Sequence, residues 1–193
     1  METEGKHVKV LMAIQNADFN FENIPIRVTV NRSCQEIKLA GMTIGPLEEG
    51  NEYETFYWVA LELEKSGIIR FQEDESLTLG RLGKIQWAER IQTAGQITKL
   101  LNAFYPKLRR LLSVLQKEST NNAAKMLECE KAKHLAKDTI NSRLRKIIAI
   151  ASAPAQTEQT LKNLTEEERI LYEQLYELIN EWRMRILKLG GNE

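Results

Sequence analysis

The chain has 193 residues, 42% of them hydrophobic, and 27 Lys and Arg balance 27 Asp and Glu. A neutral chain projects no overall field toward nucleic acid or an anionic membrane, and this length suffices for one domain or two small ones with a substantial core. No apolar run approaches the roughly 18 residues of a membrane span and no signal-peptide core is read at the N-terminus, so an intracellular protein is expected.

Met1–Lys6 is polar and expected to fray. Val8–Ile14 reads as a first strand, with turn chemistry following in Asn16, Asp18, Asn20 and Asn23. Ile24, Ile26, Val28 and Val30 alternate with Arg27, Thr29 and Asn31, the period of two that marks a strand with one wet face. Asn31-Arg32-Ser33 can turn this strand into a partner at Gln35–Leu39. Gly41, Gly45-Pro46 and Gly50 then punctuate a tight loop. Beyond it Phe56, Val59 or Ala60, and Leu63 share a helical face that ends at Ser66-Gly67, with Trp58 toward the sheet; Ile68, Ile69 and Phe71 form a returning strand. Strand, glycine turn, helix and strand could cradle a phosphate. Yet no Lys-Ser/Thr follows the last glycine, and Glu48, Glu49, Glu52 and Glu54 crowd the helix start, so the turn reads as structural.

Gln72–Gly83, with Glu73-Asp74-Glu75 and two glycines, marks a boundary. The predicted fold class is α+β: a small β-rich domain with one helix over residues 1–74, then a helical bundle over residues 75–193. From Trp87 onward apolar residues recur every three or four positions. Ile97, Leu100, Leu101, Phe104, Tyr105, Leu108, Leu111, Leu112 and Leu115 make a continuous apolar face, which Pro106 interrupts with a kink or helix restart near Tyr105. Ser119–Asn122 is a polar break before a helix over Ala123–Ile150, and Ala151–Thr160, with Pro154, is a loop. Thr165 and Glu168 form a capping box for a last helix whose stripe is Leu171, Leu175, Leu178, Trp182, Ile186 and Leu189, ended by Gly190-Gly191.

Leu39, Gly41, Gly45, Pro46, Gly50, Tyr57, Trp58, Ala60 and Leu63 together resemble the small β-rich domain of GINS subunits, DNA-replication factors that join the MCM helicase. Arg143-Leu144-Arg145-Lys146-Ile147, with Ala149 and Ala151, is similar to the Arg-x-Arg-Lys-Ile-x-x-x-Ala run of GINS helical domains. Asn163–Glu168, with Leu171-Tyr172 behind it, is similar to the start of their last helix. The β-rich part precedes the helical part, as in the archaeal-type paralogue group that combines the second and third eukaryotic subunits. The resemblance implies assembly with a paralogous subunit into a tetramer that bridges MCM and a RecJ-like partner at the replisome.

No catalytic, cofactor or metal residue is expected. His7 and His134 are far apart without a Cys or second His at ligand spacing, and Cys34 and Cys129 belong to no Cys-x-x-Cys or Cys/His cluster, so free thiols are expected. The acidic triplets Glu73–Glu75 and Glu166–Glu168 suit a solvated linker and a helix start. Three basic clusters, Lys107/Arg109/Arg110, Arg143/Arg145/Lys146 and Arg183/Arg185/Lys188, sit beside acidic residues without interleaved exposed aromatics. They read as solvated faces or protein contacts rather than direct DNA contacts. Leu101, Phe104, Leu108, Leu112, Tyr176, Trp182 and Ile186 are the candidate subunit interface, because the helical half carries more apolar face than it can hide. The alternatives are a helical adaptor outside replication and a basic-helix DNA-binding regulator.

Overall fold

A computed structural model describes residues 2–39, 41–72, 76–91, 96–153 and 158–188. The chain divides into two compact units, Asp18–Leu77 and Met1–Ala17 with Thr78–Glu193. The first is β-rich with one internal helix and the second is a helical bundle, the α+β architecture expected.

The small unit is organised by β1 (Pro25–Val30), whose Ile26, Val28 and Val30 are buried in alternation, as its period of two requires. Its partners are β4 (Glu52–Phe56) and β5 (Ile69–Phe71), both antiparallel, in the order β4-β1-β5. The hairpin expected after β1 does not form. Instead β2 (Ile37–Leu39) pairs with β3 (Met42–Ile44) in a separate two-stranded ribbon, and a bridge between Cys34 and Leu47 closes the loop around it. Gly45 sits at φ +91°, where a Cβ would approach the Leu47 amide nitrogen to 3.0 Å, so this corner needs glycine.

Helix α2 (Tyr57–Lys65) buries Tyr57, Val59, Ala60 and Leu63. Trp58, expected on this face, is 41% exposed. Phe56 is the last residue of β4, so the helix starts one residue later than its apolar spacing suggested, and Trp58 lies about 100° around the axis from the inward Tyr57. The Tyr57 ring packs in tilted contact with Phe21, centroids 4.1 Å apart, and with Phe71 at 5.5 Å.

Phe21 belongs to α1 (Glu2–Glu22), a helix where the sequence suggested a strand at Val8–Ile14. A short apolar run does not distinguish the two periods. Ala13, Ala17 and Phe21 share the helical period of three to four with Val10 and Ile14, and neither Gly nor Pro interrupts the chain from Lys6 to Ile24. The Asn23 amide donates to the Phe19 carbonyl at the end of this helix (2.9 Å).

The helical unit contains α3 (Leu79–Ile91), α4 (Phe104–Glu118), α5 (Ala123–Ser152), the single turn α6 (Glu158–Leu161) and α7 (Glu166–Lys188). Gly80 and Gly83, expected in a linker, lie inside α3; a Cβ on Gly83 would meet only Leu135, at 3.9 Å. The helix restart expected near Tyr105 is real: α4 begins at Phe104 after Ala103 in a left-handed conformation, and Pro106 occupies the first turn, where no donor is needed. Ile97–Leu101 is therefore irregular chain rather than helix, with Ile97 and Leu100 buried. The polar break is a 3-10 turn over Ser119–Asn121, and the Asn122 side chain caps α5 through the amides of Ala124 and Lys125.

Among the described residues, two apolar clusters pack within the bundle. One packs Leu115, Cys129 and Ala132 with Leu79, Leu111 and Leu112. The other joins Ile97, Ile147, Ile150, Ala151 and Tyr172, with Leu171, Leu175 and Ile179 around them. Among the described residues no helix is long and apolar enough to cross a membrane. Leu189, Gly190, Gly191, Glu73–Glu75 and Pro154 lie outside the described residues.

Candidate functional site

The helices of the bundle are keyed together by an ionic hub centred on Arg143, whose side chain is fully buried on α5. Its Nε and Nη2 donate to the two carboxylate oxygens of Glu168 on α7, at 2.5 and 2.6 Å, the fork geometry that favours Arg over Lys. Nη1 donates to Glu89 on α3 (2.6 Å) and to the Thr98 carbonyl (2.9 Å), while Nη2 also reaches the Asn163 carbonyl at 3.3 Å. All five guanidinium N–H groups are thus used. Lys146, one turn further along α5, donates to the second oxygen of Glu89 (2.6 Å), and the Thr98 hydroxyl bonds to the first. Tyr105 on α4 donates to Glu168 at 2.7 Å.

Burial pushes the Glu89 carboxyl up. Hydrogen bonds from Lys146 and Thr98, with the charges of Arg143 and Lys146, outweigh it and hold Glu89 below the ordinary carboxylate value. For Arg143, burial disfavours the charge, and the bond and charge of Glu168 with the charge of Glu89 reverse this to raise its pKa. Burial first, then the Glu168 charge and hydrogen bond, raise Tyr105.

The capping box expected at Thr165 is present and belongs to the same hub. The Thr165 amide donates to Glu168 Oε2 (3.0 Å) and the Glu168 amide to Thr165 Oγ1 (3.3 Å). The two helical motifs that carried the resemblance are therefore one structure: Arg143 and Lys146 from the first, Asn163, Thr165 and Glu168 from the second. Arg143 and Lys146 were expected on solvated faces or in protein contacts; they are buried inside the chain's own bundle, where two carboxylates compensate them. Glu89 was not singled out in the sequence. Its signal is its position seven residues after Leu82, a charge at an inward position of α3.

The remaining basic residues differ in their surroundings. Arg183 donates to the Ser152 carbonyl (2.7 Å) and Arg185 pairs with Glu181 on its own helix (2.5 Å). His134 is exposed, 4.0 Å from Asp138, and among the described residues no group of His, Cys, Asp and Glu could hold a metal. Cys34 and Cys129 are free.

The candidate interface residues separate into two sets. Phe104 and Leu108 are 1% and 3% exposed, so they serve the chain's own core, and Leu112 packs in the cluster around Cys129. Leu101 is at the exposed margin. On α7 the inward residues Leu171, Tyr172, Leu175 and Ile179 meet the core, and Arg183 reaches the last residue of α5. The second half of α7 also carries Trp182 at 62% exposure and Ile186 at 51%, with Leu178, Met184 and Leu187 exposed and Tyr176 at the margin. Leu178, Trp182 and Ile186 follow at four-residue spacing, so they form one ridge. An apolar ridge of this size on a helix end is characteristic of a protein contact.

Among curated proteins no significant relative is found. Residues 76–187, more than half of the chain and all of the hub and ridge, match the family described as the GINS complex protein helical bundle domain. The chain therefore belongs to the GINS complex proteins, a family of non-catalytic components of DNA replication.

Proposed function

We propose that this chain is the archaeal-type GINS subunit of the group that combines the second and third eukaryotic subunits, and that it assembles with a paralogous subunit into a tetramer. Its domains are a GINS B-type unit followed by an A-type helical unit, over residues 1–74 and 75–193 as the sequence divides them. The tetramer bridges the MCM ring and a RecJ-like partner into the active replicative helicase, at the chromosome. The order of the parts supports the paralogue assignment, since the family match begins at residue 76, after the β-rich residues.

The observation that carries the assembly reading is the exposed ridge of Leu178, Trp182 and Ile186, in which Trp182 and Ile186 continue the helical stripe that the bundle covers at Leu171, Leu175 and Ile179. Replacing Trp182 and Ile186 with Ser removes apolar surface that the isolated chain does not bury. Co-expression with a candidate paralogue, followed by sedimentation equilibrium, tests it. The unaltered chain should run as a tetramer with its paralogue, and the double variant should dissociate while melting as before. A soluble monomer that ignores every paralogue and MCM would sink the reading.

A further inference from the structure

The neutral total conceals a division of charge. The β-rich unit, Asp18–Leu77, has twelve acidic residues against five basic, a net of −7; the helical unit therefore holds fifteen acidic against twenty-two basic, a net of +7. The positive unit has the attraction for polyanions that the whole-chain balance disguised.

Within that unit a polar cleft of about 600 Å³ opens between α3 and α5. Arg90 and Arg145 line it with Gln86, Asn141 and Ser142, and Asp138 is its only acidic lining residue. Among the described residues neither arginine forms a hydrogen bond or ion pair, in contrast to Arg143 beside them, and both are exposed. Arg90 also ends a row along α3. Lys84, Trp87 and Arg90 follow at three-residue spacing and all are exposed, with Trp87 at 66%. An exposed aromatic among basic side chains is the feature the three sequence clusters lacked.

We propose that this row and cleft bind single-stranded nucleic acid, with Arg90 and Arg145 on backbone phosphates and a base stacked on Trp87. The arginines are free to fork onto phosphate oxygens, and the indole offers a π-face that every base can use without sequence preference. A double helix presents no unstacked base to that face, and an acidic protein gains nothing from it. Asp138 opposes phosphate in the cleft. The proposal is independent of subunit assembly: a chain that forms its tetramer and joins MCM yet ignores oligonucleotides would leave the assembly intact and remove only this site.

The test is fluorescence anisotropy of the full-length chain with a labelled oligo-dT of about 16 nucleotides, within the range one binding module covers. Competition uses a duplex of the same length and poly-glutamate. Trp87→Ala should weaken oligo-dT binding about 5- to 150-fold, the range one stacked base accounts for, and Trp87→Phe should retain most of it. Arg90→Gln and Arg145→Gln should each lower the slope of log affinity against log salt by about 0.7, the share of one single-strand phosphate. Arg185→Gln, the same charge change on α7, should leave that slope nearly unchanged, and Asp138→Asn should tighten binding. Three results would overturn the site: Trp87→Ala binding as before, Arg185→Gln costing as much as Arg90→Gln, or poly-glutamate or duplex competing as well as oligo-dT.

Discussion

Replacing Arg143 with Met keeps much of the side-chain volume and removes the charge and all five donors. The consequences differ between its two carboxylates. Glu89 keeps Lys146 and Thr98, whereas Glu168 keeps only the Tyr105 hydroxyl and the Thr165 amide and loses its cation. Leaving one partner of a buried ion pair uncompensated costs about 3–5 kcal/mol. The carbonyls of Thr98 and Asn163 lose a donor as well, and an unsatisfied buried polar group adds about 1–3 kcal/mol if no other donor reaches it. The expected loss is therefore at least about 3 kcal/mol, a large share of the roughly 5–15 kcal/mol that keeps a domain folded. Urea denaturation reads it as a fall in the midpoint at unchanged slope.

The sign of the pH dependence gives a second, independent readout. A carboxylate whose folded pKa is depressed contributes stability above its ordinary value, and that contribution is lost as pH falls through the depressed one. Glu89 is depressed from 4.5, so the unaltered chain should lose stability below about that pH. Pairing Arg143→Met with Glu168→Leu should cost less than the sum of the two single changes, because the second removes the stranded charge. A loss under about 1 kcal/mol for Arg143→Met would refute the hub as the element that fixes these helices.

Tyr57→Ala should cost about 3–5 kcal/mol in thermal or urea unfolding, because it empties the centre of the small unit, whereas Trp58→Ala should change stability by less than about 1 kcal/mol; the reverse order would place Trp58 inward. Thr165→Ala removes one side of the capping box and should cost about 0.5–2 kcal/mol, and Thr165→Ser should restore most of it. Gly45→Ala should destabilise by about 1–2 kcal/mol through its left-handed φ alone, with the Leu47 contact adding to it, and an unchanged melting temperature would show the corner can relax.

What could be read from the sequence was local and periodic. The alternation in β1, the Thr165–Glu168 box and the restart after Ala103 each depend on neighbours within a few residues, and each stands where the spacing put it. The errors share a cause as well. Val8–Ile14 is too short for its period to separate strand from helix, and β1 chose β4 and β5 over the nearby β2 because strand pairing is decided by long-range burial. Among the interface candidates, Phe104 and Trp182 have the same local signature, a large apolar residue on a helical stripe. Only tertiary packing spends the first on the chain's own core and leaves the second outside.

A hub of two carboxylates, an arginine and a lysine is a costly way to hold helices together, since desolvating four charges offsets much of what their attraction returns. Apolar residues of the same volume could match it in stability. They would leave the angular position of α7 against α5 free to slide, because apolar contacts have no preferred direction. A bidentate fork does not slide: Arg143 meets both oxygens of Glu168 in one rotational setting of α7. That setting turns Leu175 and Ile179 inward, and by a period of 3.6 it aims Trp182 and Ile186 along the same stripe further down α7, where they stand exposed. The charges inside the bundle and the apolar ridge outside it are therefore two ends of one constraint. Subunit assembly should be sensitive to Glu168 even though Glu168 is buried and no partner can reach it. Glu168→Gln keeps the size of the side chain and weakens the fork, so it should loosen the tetramer beyond what its loss of stability explains. Sedimentation with the paralogue, set beside the urea midpoint of the same variant, measures both. Assembly that tracks the midpoint alone would show the fork stabilises the bundle without orienting its ridge.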